Sequence, residues 1–215
     1  MLDRFTWFWQ SGYLWRGDGI NVYIDPRHVT GDPPADVVFI THAHFDHLDS
    51  DDLAKIVREG STKIVAPHDV AAELSGDVTP VAPGDSLEVG GIKVQAVPAY
   101  NIVEDRLDNH PQANNWVGYL LDLGGTTYYH AGDTDHLPEL EDVKADVSFV
   151  PIGGTYTMDA VEAAELVKAQ SPKIAVPMHY GFVVSTPAEA ERFKREASPV
   201  VVQILEPASP FEITE

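Results

Sequence analysis

The chain is predicted to be a layered α/β domain, and three observations carry that prediction. Short apolar runs of strand length alternate with segments bearing helix start and stop signals. Two Gly-Gly pairs each separate two such runs, which puts antiparallel hairpins in the middle of the chain. At 215 residues and 44% hydrophobic, without a low-complexity stretch or a Gly/Ser-rich linker, the chain can bury one core and is expected to form one domain over residues 1–215.

The elements follow in order. The N-terminal aromatics Phe5, Trp7, Phe8, Trp9 and Trp15 either pack in a first hairpin or offer a subunit contact. Residues 37–41 form a short apolar run that reads as a buried strand and leads directly into a histidine-rich loop. A helix follows, with Ser50 as N-cap, Asp51 and Asp52 in the first turn, where the helix dipole favours acids, and Gly60 as its stop. Residues 63–66 read as the next strand. Strands over 87–89 and 92–97 flank Gly90-Gly91, and strands over 116–123 and 126–130 flank Gly124-Gly125. A strand over 147–151, a helix over 158–169 and a strand over 173–177 restore the alternating pattern. Thr186, Pro187 and Glu189 mark a last helix with an N-cap, a first-turn proline and a capping-box partner. Runs at 200–204 and 211–214 are expected to close a second sheet.

Charge and composition narrow the function. With 14 basic against 34 acidic residues, the net charge of −20 opposes a nucleic-acid backbone, so no nucleic-acid partner is expected. The start, with Asp3 and Arg4 before an interrupted aromatic cluster, is neither a signal peptide nor a membrane span. A cytoplasmic protein with a small-molecule substrate and no membrane partner is expected. There is no cysteine, so His, Asp and Glu are the strong metal ligands on offer.

The loop after the first apolar strand reads His42-Ala43-His44-Phe45-Asp46-His47. A loop at a strand end splays neighbouring side chains in different directions, so imidazoles at i and i+2 can meet one metal while the carboxylate and imidazole at i+4 and i+5 meet another. Polar caps at a helix start would not place three histidines and an aspartate within six residues. The other nucleophile motifs, Gly-x-Ser-x-Gly and the P-loop, are absent.

Thr41 to His47, followed by Val97-Pro98-Ala99-Tyr100-Asn101, His110-Pro111, Trp116-Val117-Gly118-Tyr119, His130-Ala131-Gly132-Asp133-Thr134-Asp135, the Pro151 to Met158 segment and Pro177-Met178-His179-Tyr180-Gly181, resembles the metallo-β-lactamase superfamily. The segments are similar in order and spacing, over about residues 20 to 185, to a branch of small prokaryotic metal-dependent hydrolases that includes ascorbate-6-phosphate lactonases and, more distantly, a phospholipase D acting on N-acylethanolamine phospholipids. The start departs from that pattern. Where relatives carry Gly-His before a small residue, this chain has Trp9-Gln10-Ser11-Gly12, so a polar contact to the site from the first hairpin is not carried over.

The resemblance implies a four-layer αβ/βα sandwich, two mixed sheets flanked by helices. It implies that His42, His44 and His110 hold one divalent ion, that Asp46, His47 and His179 hold a second, and that Asp133 bridges the two. Zinc is expected first, with manganese or iron as alternatives that the same nitrogen and oxygen donors would accept. Catalysis is then expected from a metal-bridged hydroxide acting on a small anionic ester, lactone or phosphodiester. In that scheme Asp46 is the orienting base, Asp133 the bridge and Tyr180 a donor to the developing oxyanion. The alternatives are an iron-dependent redox enzyme on the same scaffold and a metal-binding protein without turnover. His130 is expected to orient a ligand or Asp133, His28 and His68 to lie at the surface or in caps, and His136 to have a weaker claim to the site rim. Tyr100, Asn101 and Tyr156 are further candidates for the pocket wall. Gly153-Gly154-Thr155-Tyr156 before a helix suits either an anion cradle or an ordinary turn. Relatives are often oligomeric, and a homo-oligomer is expected.

Overall fold

A computed structural model describes residues 1–31, 33–181 and 183–209. Twelve strands among the described residues form two mixed six-stranded sheets, each in chain order. The first holds β1 (Phe5–Trp7), β2 (Tyr13–Gly17), β3 (Ile20–Ile24), β4 (Val37–Phe39), β5 (Lys63–Pro67) and β6 (Asp77–Val81). Pairing is antiparallel from β1 to β3 and parallel from β3 to β6. The second holds β7 (Ser86–Val89), β8 (Ile92–Pro98), β9 (Val117–Leu123), β10 (Thr126–His130), β11 (Val147–Pro151) and β12 (Ile174–Met178). Here β7 to β10 are antiparallel and β10 to β12 parallel.

Helices cover the outer faces. In β4, Val37 and Phe39 face the core shared by the two sheets, while Val38 and the following Ile40 face a separate cluster with Leu53, Ile56 and Val70. Those last three belong to α1 (Ser50–Ile56) and α2 (His68–Glu73). On the other side, Ala163 and Leu166 of α3 (Ala160–Gln170) and Phe193 of α4 (Pro187–Glu196) join the larger cluster. Four layers result, as the resemblance implied. A strand buried on both faces has no polar alternation, which is why residues 37–40 read as one apolar run.

Both glycine pairs take positive φ, as the two predicted hairpins require. Several boundaries differ from expectation. The cap of α1 is Asp49, which accepts from Asp52 N and is also held by Arg27 at 2.6 Å; Ser50 is the first helical residue. Adjacent Asp and Ser are near-equivalent caps, and the tertiary ion pair selects between them. The helix ends at Ile56, before Gly60, because Val57 turns extended and Arg58 N donates to Thr62 Oγ1. At α4, Thr186 makes no side-chain cap bond and Glu189 pairs with Arg192; the capping box belongs to α3, between Asp159 and Glu162. Residues 200–204 form no strand, only a single bridge from Val202 to Ala175 on β12. The strand expected over 211–214 lies outside the described residues. The aromatics Trp7, Phe8, Trp9 and Trp15 are buried within the chain, so the first-hairpin alternative holds for them and they present no exposed subunit contact.

Candidate metal centre

The strand ends converge on one cleft. Tyr119 on β9 donates its hydroxyl to Ile40 O at 2.7 Å, and Val117 N donates to Thr41 O, so the base of the histidine loop after β4 is tied to the second sheet. Asp133 follows β10 through Gly132, whose φ of +63° and 3.0 Å clearance to Val117 O exclude a side chain. His179 follows β12, and its N–H donates to Gln10 O. His110 comes from the long loop between β8 and β9.

That loop is clamped by charge. Arg106 is buried, with Nε 2.6 Å from Asp135 Oδ1, Nη2 2.6 Å from Glu162 Oε1, and Nη1 donating to Thr157 O. Asp135 Oδ2 accepts from Ile102 N and Val103 N, while Asn101 Nδ2 donates to Arg106 O and Tyr156 O. The loop therefore reaches the site on a preformed frame.

Three ligand groups result. His42, His44 and His110 form one, Asp46, His47 and His179 a second, and His42, His47 and Asp133 a third, with each group's donor atoms within 4.8 Å of one another. Asp133 lies between the first two: Oδ2 is 2.9 Å from His179 Nε2 and 3.3 Å from His110 Nε2, and Oδ1 is 3.3 Å from His47 Nε2. All of these residues are buried except His44, which is half-buried.

The residues fit a divalent cation. His47 Nε2, His110 Nε2, His179 Nε2 and Asp133 Oδ1 are buried without a hydrogen bond, yet they point at one another. Asp25, fully buried at the end of β3, accepts from Thr41 N, Thr41 Oγ1 and His47 Nδ1 at 2.8, 2.7 and 2.8 Å. That leaves His47 Nε2 facing the centre, the arrangement a metal-binding imidazole needs. Burial, with His47 nearby, holds the His42 pKa well below the ordinary imidazole value, and burial with His110 lowers that of His44. Both are ready-made neutral donors. Burial opposes charge on His47 and His179 as well, but the facing carboxylates outweigh it. His47 is raised well above its ordinary value, and His179 is raised to about 9. The same pairing holds Asp46 and Asp133 below the carboxylate range against their own burial. Without a cation, protons on His47 and His179 neutralise the two carboxylates; a cation would displace them.

Residues around this set were partly invisible in the sequence. Trp116 lays its ring 4.9, 5.0 and 5.7 Å from His42, His44 and His110, and its Nε1 donates to Asp69 on α2. Gln10 Nε2 donates to Asp46 Oδ2 at 3.0 Å, so the first hairpin does contact the site, through an amide where relatives were expected to use histidine. Trp9 and Gln10 both adopt positive φ, and Gln10 O is held by Trp7 Nε1 and His179 N.

Other expected residues fall elsewhere. Tyr180 is buried in the core with its ring 5.3 Å from that of Trp7, and it does not line the cleft. Tyr156 does. Tyr100 donates to Glu139 at 2.7 Å, and Asn101 braces the His110 loop. His130 bonds Ser11 O and Gly132 N, which holds the turn before Asp133 rather than any ligand side chain. His136 pairs with Glu141, and His28 and His68 are exposed. Gly153 is needed for close packing, because a Cβ there would meet His179 Nδ1 and O at 3.0 Å. The helix after it starts at Ala160, and the Asp159 carboxylate already takes the amides of Val161 and Glu162, so the helix N-terminus is not free to hold an anion.

A fold of this kind with a His/Asp cluster at the strand ends defines a class, and comparison with known proteins agrees. Residues 4–179 match the β-lactamase superfamily domain. The chain is 32% identical to the UPF0173 metal-dependent hydrolase MK1542 of Methanopyrus kandleri, covering 97% of this chain and 99% of that one. It is 33% identical to the UPF0173 metal-dependent hydrolase Ta0764 of Thermoplasma acidophilum, covering 93% and 97%. Among solved structures, the metallo hydrolase Igni18 of Ignicoccus hospitalis superposes with a TM-score of 0.78 at 26% identity over 95% of both chains. The chain belongs to the metallo-β-lactamase superfamily and, within it, to the UPF0173 metal-dependent hydrolases. No helix among the described residues is long and apolar enough to cross a membrane.

Proposed function

We propose that the protein hydrolyses a small ester, lactone or phosphodiester at a dinuclear centre, with His42, His44 and His110 holding one ion and Asp46, His47 and His179 the other. The observation that carries this reading is the position of Asp133, whose two oxygens face ligands of both groups at 2.9 to 3.3 Å. Zinc suits the donor set first, with manganese or iron next, because only nitrogen and oxygen are offered. Such ions, when bound, would polarise the electrophile and lower the pKa of a coordinated water toward about 7, supplying a hydroxide near neutral pH.

The chain's own residues orient that chemistry. Asp46 is ionised, with one oxygen fixed by Gln10, and it is the acceptor placed to orient a nucleophile's proton. Asp25 fixes the His47 ring, and Trp116 walls off three ligand imidazoles from the solvent behind them. Tyr156, in place of the buried Tyr180, is the tyrosine at the cleft and takes over as the donor to a developing oxyanion. The test is Asp133→Asn and His44→Ala in purified protein, assayed for bound metal and ester hydrolysis. Both variants are expected to lose an ion and at least a hundredfold in rate; activity surviving with both ions still bound contradicts the assignment.

A further inference from the structure

We infer that the substrate is uncharged and carries an apolar group beside the scissile bond, an inference that rests on the hydrolase reading above. Among the described residues eight large hydrophobic side chains are exposed, and apart from Met1 and Val201 all lie on loops that carry or line the site: Phe45, Ile102, Val103, Leu107, Tyr156 and Val183. Three of them, Phe45, Tyr156 and Val183, line the same cleft as His44, Asp46, His110, Asp133 and His179. Ile102 and Leu107 line a neighbouring hollow on the His110 loop, so the cleft itself gathers three exposed apolar side chains, and such a cluster around a concavity marks a binding surface where single scattered ones do not.

Phe45 is the sharpest instance. It stands between His44 and Asp46 and is 63% exposed. The loop cannot rotate to bury it, because His47 N and Leu48 N both bond His44 O and the flanking side chains face the centre. The ring is therefore held in water at the mouth of the cleft, where an apolar part of a ligand would cover it.

Charge points the same way. Among the described residues no Lys or Arg lines the cleft, which instead presents the carboxylates of Asp46 and Asp133 and the amide of Asn109. The helix end that would have served an anion is capped by Asp159 and Glu162. The chain as a whole carries −20. With Asp46 and Asp133 engaged by the ions, a negatively charged tail reaching past the centre would find no cationic side chain among the described lining residues and an acidic protein around it. The cleft holds about 250 Å³, room for about eight waters at roughly 30 Å³ each, so the apolar group is short.

The probe is a series of alkyl hydroxamates, from acetohydroxamate to hexanohydroxamate, titrated calorimetrically into zinc-loaded protein, with succinic monohydroxamate as the anionic counterpart. Kd is expected to tighten roughly threefold per added methylene over the first few carbons, the fold-change that partial burial of each CH₂ gives, and the succinyl compound is expected to bind at least tenfold more weakly than its neutral counterpart of equal length. Phe45→Ala and Val183→Ser, each checked for zinc content, are expected to flatten the chain-length dependence, and two variants guard against one that misfolds. A flat series in the unaltered protein, or tighter binding of the anionic compound, overturns the inference. Turnover of 4-nitrophenyl acetate, butyrate and hemisuccinate separates the two readings. No turnover of these esters, of γ-butyrolactone or of bis(4-nitrophenyl) phosphate with both ions bound contradicts the hydrolase itself, whereas turnover that favours the hemisuccinate or the phosphodiester contradicts only the substrate class.

Discussion

Gln10 and Asp25 show how single residues tune this centre without being expected ligands. Gln10 donates to the Asp46 oxygen that also faces His179 at 3.4 Å, so it selects which lone pairs Asp46 offers. Gln10→Leu is expected to weaken the Asp46/His47/His179 site by about tenfold or more while sparing the other, read by competitive chelator titration; two sites of unchanged affinity would contradict this. Asp25→Asn keeps the size but weakens the acceptor for His47 Nδ1, and a loss of roughly 10- to 100-fold in affinity is expected at the same site. Of the proposed ligands, four crowd one loop and Asp133 and His179 follow strands, which made them legible in the sequence, whereas His110, deep in a long loop, came only from the resemblance. Gln10 was legible only as a departure from a pattern. Asp25 left no local signal beyond an acid at the end of the apolar run of β3, since its partners Thr41 and His47 reach it only once β3 and β4 lie side by side. Tyr180 follows His179 in sequence, but the chain turns there, His179 taking a φ of +59°, and the Tyr180 ring packs in the core against Trp7.

At the scale of elements, the loop from β8 to β9 is the part whose order most needs explaining. It is long and polar and carries His110, yet Arg106 ties it to Asp135, Thr157 and the first turn of α3. Removing one partner of a buried ion network leaves the others uncompensated, so Arg106→Met is expected to cost about 3 kcal/mol of unfolding free energy by urea titration. The same variant should lose the His42/His44/His110 ion first; full stability with both ions retained would refute the clamp. Strands and hairpins at the centre of the chain were readable because apolar runs and glycine pairs are local signals. Helix caps were less so: a tertiary ion pair decided between Asp49 and Ser50, and the box expected at Thr186 and Glu189 is not made because Glu189 pairs with Arg192 in its own helix. The edge strand β6, with Pro80 and mostly half-exposed residues, and the short α2 carry too little periodicity to be seen. The hairpin between β2 and β3 was available in the sequence, for its Asp18-Gly19 turn is a strong hairpin signal.

Across the whole molecule, the two sheets bring carboxylates and imidazoles to one cleft, where either protons or a cation balance the charge. The linkage has a definite sign. The His179 pKa rises from 6.5 to about 9 in the metal-free protein, so its contribution to stability is complete below about pH 6.5 and fades as pH climbs through 9. Metal competes with that proton, so metal affinity should increase with pH over the same window, and zinc uptake near pH 7 should release protons into an unbuffered solution. Uptake without proton release would contradict the charge balance assigned to His47 and His179. A two-ion centre split between His110 and His179 can be counted by elemental analysis of protein reconstituted with zinc: two ions per chain are expected, and one in each of His110→Ala and His179→Ala. One ion in the unaltered chain, or a single iron accompanied by oxygen consumption, would contradict it.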